Sequence, residues 1–168
     1  MNGLSVTCDN REALADIERK IGVLNNPYPL LKKIMLYSMA MTRKMFFGPR
    51  PDNSSVRGEF WPKLAESTIK AKRAMAKRKG TETDRPLVLS GEMRNSLMNE
   101  SAIKIQGKGA TYGTEVLSEN GFPFPGVHQE GAPPVPQRRF LFWTNEDMKN
   151  ILTMCVDFVD QKLRSIRG

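Results

Sequence analysis

From Met148 to Ile166 the apolar residues Met148, Ile151, Leu152, Cys155, Val159, Leu163 and Ile166 recur at spacings of three and four. That is the pattern of a helix with one apolar side. Thr144, with Asp147 three residues on, supplies the N-cap signature that opens it. A helix of this length must set its apolar side against something. The strand-like stretches upstream make a sheet the expected support, with Ile151, Leu152, Cys155 and Val159 packed on it.

The rest of the chain is divided by its turn residues. Residues 4–7 (LSVT) read as a short strand. Asp9 with Glu12 forms a capping-box arrangement ahead of the stripe Leu14, Ile17, Ile21 and Leu24. Pro27 suits the first turn of a second helix, where its missing N–H costs nothing. Leu30, Ile34, Tyr37, Met41 and Met45 then share one face up to about Phe47, and Gly48, Pro49 and Pro51 end it. Residues 48–60 carry loop chemistry throughout. A third helix is expected from about Leu64 to Lys79. Ser90 is placed to cap a brief helix holding Met93 and Leu97. Residues 102–106 alternate in strand fashion and pair with 110–116 across a glycine turn. Segment 118–137 reads as a long irregular excursion, and Arg139–Trp143 as a final apolar strand. The expected class is α+β within a single domain over 1–168: a small antiparallel sheet flanked by N-terminal helices, a basic helix and a long C-terminal helix.

Charge is unevenly distributed. The net is +8, and residues 43–94 hold 13 Lys/Arg against 6 Asp/Glu. One segment therefore carries nearly all the basicity, with Lys70, Lys72, Arg73, Lys77, Arg78 and Lys79 on the third helix. Its apolar residues are few, so these side chains are expected to be solvated. They would serve an acidic partner or nucleic acid, or form a plain solvated face. Ten methionines suit either core filling or repacking at interfaces.

The catalytic inventory is thin. Two cysteines, Cys8 and Cys155, match no metal-ligand spacing and read as reduced thiols. With the lone histidine, His128, they cannot make a structural zinc site within one chain. No G-x-S-x-G elbow, P-loop or G-x-G-x-x-G is present. No enzyme activity and no cofactor are expected. His128 reads as a residue fixing a loop, with a proton-transfer role as the alternative. The basic run lacks interleaved aromatics, which argues against base-specific single-strand recognition. No apolar run is long enough to span a membrane. The opening MNGLSVTCDN lacks a signal-peptide pattern, so assembly in the cytoplasm is expected.

Four stretches resemble the virion morphogenesis family, the tail-completion proteins of Mu-like and P2-like tailed phages. VTCDNREALADI (6–17) resembles the family's opening strand and helix. FWPKLAESTIKAK (60–72) is similar to its W-x-x-L…T…K segment through Trp61, Leu64, Thr68 and Lys72. LVLSGEMRNSL (87–97) resembles a turn carried here by Leu89, Ser90, Gly91, Met93, Arg94 and Ser96. HQEGAPPVPQRRFLFWTNED (128–147) resembles its ending through His128, Gln129, Gly131, Pro136, Arg138, Phe140 and Leu141. Two departures stand out: Arg139 occupies a place where the family commonly has proline, and Phe122–Gly126 lengthens the approach to His128.

The resemblance implies a structural protein of the virion neck or tail end, forming a ring, six-fold by expectation. Its partners would be further copies of itself, the neighbouring tail tube or sheath, head-connector proteins, and in passing the phage DNA, with no membrane partner. Loops 48–60 and 121–137 are the expected docking surfaces. The alternative is a basic nucleic-acid-binding protein.

Overall fold

The computed structural model describes residues 25–47, 55–79 and 85–167, together with Ala15, Glu18 and Gly22, which are helical. The strand expected at 4–7, most of the helix expected at 9–24, and loop residues 48–54 lie outside the described residues. The class is α+β, and the two described strand pairs are both antiparallel hairpins.

Helix α1 spans Tyr28–Phe47 and begins one residue after Pro27, whose carbonyl accepts the Leu31 N–H at 2.9 Å. Its buried face is Ile34, Met35, Ser38, Thr42, Met45 and Phe46. That face is rotated from the expected stripe: Leu30, Tyr37 and Met41 are only half-buried. Two small polar side chains make the rotation possible. Ser38 Oγ donates to the Ile34 carbonyl at 2.9 Å and accepts from Trp143 Nε1 at 3.0 Å, so its burial leaves no polar atom unsatisfied. Ser38 and Thr42 line a cavity of about 300 Å³ with Tyr112 and residues 141–143.

Hairpin β1 (Ser55–Val56) and β2 (Glu59–Phe60) stands where a loop was expected. Its central residues Arg57 and Gly58 both have positive φ, 56° and 78°, as a two-residue turn matched to strand twist requires. Helix α2 covers Glu66–Lys79, close to expectation. Helix α3 covers Glu92–Leu97, but Gly91 and not Ser90 is its N-cap; Ser90 Oγ accepts only a long bond, 3.4 Å, from Glu92 N. Strands β3 (Ile103–Gln106) and β4 (Gly109–Tyr112) pair as expected, with Gly107 at φ 57° in the turn.

The excursion at 118–137 is not wholly irregular. Helix α4 spans Phe124–Glu130, and its prolines stand at and before the first turn, where no N–H is needed. Arg139–Trp143, expected as a strand, joins no ladder and bends at Leu141. Helix α5, Asn145–Arg167, opens with a reciprocal cap: Asp147 N donates to Thr144 Oγ1 at 3.1 Å, and Thr144 N donates to Asp147 Oδ2 at 2.7 Å.

The core holds Met45, Phe46, Trp61, Val88, Met93, Leu97 and Phe140. Phe46 meets the Trp61 ring edge-on at 5.8 Å and Phe140 at 5.9 Å. α5 does not contribute to this cluster, contrary to expectation. Met148, Leu152 and Val159 are exposed, and Ile151, Cys155 and Leu163 are half-buried. The hairpin β3–β4 packs on α1 instead, which leaves α5 to lean on α1 by its first turns.

Candidate functional site

Two of the stretches that carry the resemblance, 60–72 and 128–147, meet in one knot. Gln129, on α4, turns its amide onto the segment around Phe140 and Leu141. Its Oε1 accepts the N–H groups of Phe140 (3.0 Å) and Leu141 (3.1 Å), and its Nε2 donates to the Leu141 carbonyl at 2.7 Å. One side chain thus does for residues 140–141 what a neighbouring strand would otherwise do. This is how an apolar run with strand composition is held in place outside any sheet.

Arg138 completes the knot. It is buried, its guanidinium donates to the carbonyls of Pro62 (3.2 Å) and Lys63 (3.3 Å), and its backbone N–H donates to the His128 carbonyl at 2.7 Å. Trp61 Nε1 donates to the Arg139 carbonyl at 2.6 Å. Trp61 and Phe140 then enter the core together, and Leu141 packs against it. Gly131 ends α4 at φ 79°, and a Cβ there would lie 3.0–3.2 Å from Gln137, so only glycine fits. Gly91, at φ 81°, is buried beside Arg94. Arg139, the departure from the family pattern, reaches Glu59 at 3.7 Å and lies 5.3 Å from the Phe142 ring centroid.

Not every motif residue joins. Thr68, Leu89 and Pro136 are exposed, and Leu64 is half-buried. The His128 imidazole is half-buried, with Nδ1 buried and without a hydrogen-bonding partner. Burial, and then the positive charge of Arg138, hold its pKa below the usual histidine value. The ring is therefore neutral near pH 7, and its backbone carbonyl, not the imidazole, ties the following segment.

The basic helix divides. Lys70 and Arg73 are exposed. Lys72, expected to be solvated, is buried: its Nζ donates to the Arg85 carbonyl at 2.5 Å, and Arg85 in turn donates to the Phe46 carbonyl. A cation here anchors α2 to the core edge, because the carbonyl of a broken-up segment needs a donor that only a long side chain can bring. The side chains of Lys77, Arg78 and Lys79 lie outside the described residues. Trp143, at the end of the apolar run, keeps 47% of its surface exposed. The methionines serve both ways, with Met45 and Met93 in the core and Met75 and Met148 exposed.

One node had no signal in the sequence beyond its cap. Arg57, from the β1–β2 turn, pairs with Asp147 at the start of α5 and lies 4.7 Å from the Phe142 ring centroid. Tyr37 OH donates to Asp147 Oδ1 at 2.8 Å and accepts from Asn150 Nδ2 at 3.0 Å. Burial alone would raise the Asp147 pKa. Hydrogen bonds from Thr144 and Tyr37 and the charge of Arg57 outweigh it and hold the carboxyl at about 2. A cavity of about 490 Å³ opens beside this node, between α1 and the first turn of α5.

No cluster of three or more His, Cys, Asp or Glu suited to a metal occurs among the described residues, and none of their helices is long and apolar enough to cross a membrane. Comparison with family models, curated proteins and solved structures finds no match.

Proposed function

We propose that this chain is a structural subunit of a tailed-phage virion, of the tail-completion kind, forming a ring at the head-proximal end of the tail or in the neck. The observation that carries the reading is the convergence of three of the four resembling stretches, the fourth (6–17) lying outside the described residues apart from Ala15. Trp61 comes from 60–72, Met93 and Leu97 from 87–97, and Phe140 from 128–147, and all four side chains share one core. A resemblance spread over distant stretches is more informative when those stretches build one folded unit. The buried motif residues then act as scaffold, and assembly falls to exposed apolar side chains, among them Phe60, Leu117, Phe122, Trp143 and the motif's own Leu89. Such a surface suits a subunit that meets copies of itself.

The role is non-catalytic and needs no cofactor. Its partners are copies of the same chain, the adjacent tail tube or sheath, and head-connector proteins, and its place is the virion neck, reached after assembly in the host cytoplasm. Negative-stain imaging of the purified chain, alone and with tail tubes, tests this. Rings, or caps on tube ends, are the expected outcome. A chain that forms neither, and leaves joining of heads to tails unaffected when its gene is removed, would overturn it.

A second reading, nucleic-acid binding, has one observation in its favour. Phe47 is half-exposed at the end of α1, with the guanidinium carbons of Arg43 and Arg94 at 5.4 Å and 5.1 Å from its ring centroid. Binding of DNA that weakens steeply with salt would favour it.

A further inference from the structure

α5 carries more apolar surface than the described residues cover. Ile151, Met154 and Phe158 lie on one flank and are half-buried. Beside them Met148, Leu152, Val156 and Val159 are 49%, 64%, 52% and 37% exposed. Their spacing puts them on one continuous face.

The rim of that face has a matching charge pattern. Lys149 and Asp160 are both exposed and border the same edge: eleven residues at about 100° each bring them to within roughly 20° around the axis. Along the axis they are about 16 Å apart, too far to pair within one helix. The pattern is reciprocal about the middle of the helix. Reversing the helix direction around Cys155 and Val156 places Lys149 beside Asp160, Leu152 opposite Val159, and Met148 opposite Leu163. Apolar residues can meet in either direction, but cation meets anion only when the second α5 runs the other way.

We propose that the uncovered face of α5 is the docking surface for the same face of a second copy, the two helices packing antiparallel about a two-fold axis beside Cys155 and Val156. Two Lys149–Asp160 pairs then flank the apolar seam, one at each end. The contact is self-complementary, as a two-fold interface must be. It is independent of the ring contact proposed above, since closing a ring takes two different surfaces while this contact uses one. One helix pair is a small interface, so the association is weak, on the order of micromolar.

The test uses the full chain as Cys8→Ser, which leaves Cys155 as its single thiol. Sedimentation equilibrium at about 100 μM, far above a micromolar constant, should show two-fold association, and a short bis-maleimide should link Cys155 to Cys155. Leu152→Glu should abolish both while the helical circular dichroism is unchanged. Lys149→Glu should weaken association by roughly tenfold, since each rim pair turns from attraction to repulsion. Lys149→Glu with Asp160→Lys should restore it, a rescue that contacts within one helix cannot produce. A monomer at that concentration would sink the proposal, as would association that survives Leu152→Glu or a charge swap that fails to rescue. Rings that form while α5 stays unpaired would overturn this contact and leave the assembly reading intact.

Discussion

Arg57 and Asp147 stand ninety residues apart in the chain and form an ion pair in which both side chains are nearly removed from solvent. Arg57 occupies a left-handed turn position, and Asp147 doubles as the capping residue of α5. The pair therefore ties a hairpin, a helix start and, through Tyr37, the middle of α1 into one node. A buried charge that loses its partner is costly, which makes each member sensitive to removal of the other.

That node sets an acid limit on stability. The Asp147 carboxyl is held at about 2, below its ordinary range near 4. Its stabilising contribution is complete above the unfolded-state value and is lost as pH falls from about 4 toward 2. Thermal melts across that window should show a loss of about 2 kcal/mol that is missing in Asp147→Asn. Asp147→Asn should itself lower stability at pH 7. An acid limb of equal depth in both proteins would show that other carboxylates govern it.

Gln129 should be the most sensitive polar residue of α4. Gln129→Ala leaves the Phe140 and Leu141 N–H groups and the Leu141 carbonyl without their partner. Each unsatisfied group costs about 1–3 kcal/mol, so the three together should cost about 3 kcal/mol or more in urea unfolding. Gln161→Ala, exposed on α5, is the control and should be within about 0.5 kcal/mol of the parent. Equal midpoints for the two variants would mean that residues 139–143 are held by packing alone.

What the sequence made legible follows the range of the interactions. α1 and α5 were readable because Pro27 and the Thr144–Asp147 cap act within a few residues of the helix ends they define. The β3–β4 hairpin was readable from alternation across Gly107. Segment 139–143 was not: its composition is that of a strand, and the group that satisfies it is a side chain on a preceding helix. The β1–β2 hairpin was hidden because its turn places Arg57, not glycine or asparagine, at a positive φ, and what holds it there is Asp147. Burial on α5 was misread for a similar reason. Periodicity identifies an apolar face, and the partner for that face depends on which other surfaces are already occupied.

The core assignments separate the two kinds of apolar residue. Phe140→Ala, in the fully buried cluster, should cost about 3–5 kcal/mol. Leu152→Ala, measured at submicromolar concentration, should cost no more than about 0.5 kcal/mol. A large loss at Leu152 under those conditions would place α5 in the monomer core.

His128 should destabilise the fold on mild acidification. Its folded-state pKa lies below the ordinary histidine value, so the unfolded chain binds the extra proton more readily. Stability from this group is complete above about pH 6.5 and falls as pH drops below it. His128→Gln should flatten that slope below about pH 6.5. A slope unchanged by the substitution would mean that the imidazole is solvated.

The basic helix should separate folding from assembly. Lys70 and Arg73 are exposed, so their replacement by Gln should change melting by about 0.5 kcal/mol or less. Lys72→Ala should behave differently. It removes a buried donor from the Arg85 carbonyl, and a loss of about 1–3 kcal/mol is expected. If the remaining charges serve a joint with acidic neighbours or phosphates, a variant with Lys70, Arg73, Lys77, Arg78 and Lys79 all changed to Gln should fold normally. Lysates complemented with it should accumulate free heads and free tails. Screening extends over about 8 Å at physiological salt, so raising salt during joining in vitro should reproduce the defect with the parent chain. Full joining by the five-fold variant, at both low and high salt, would make this run a solvated face whose one structural cation is Lys72.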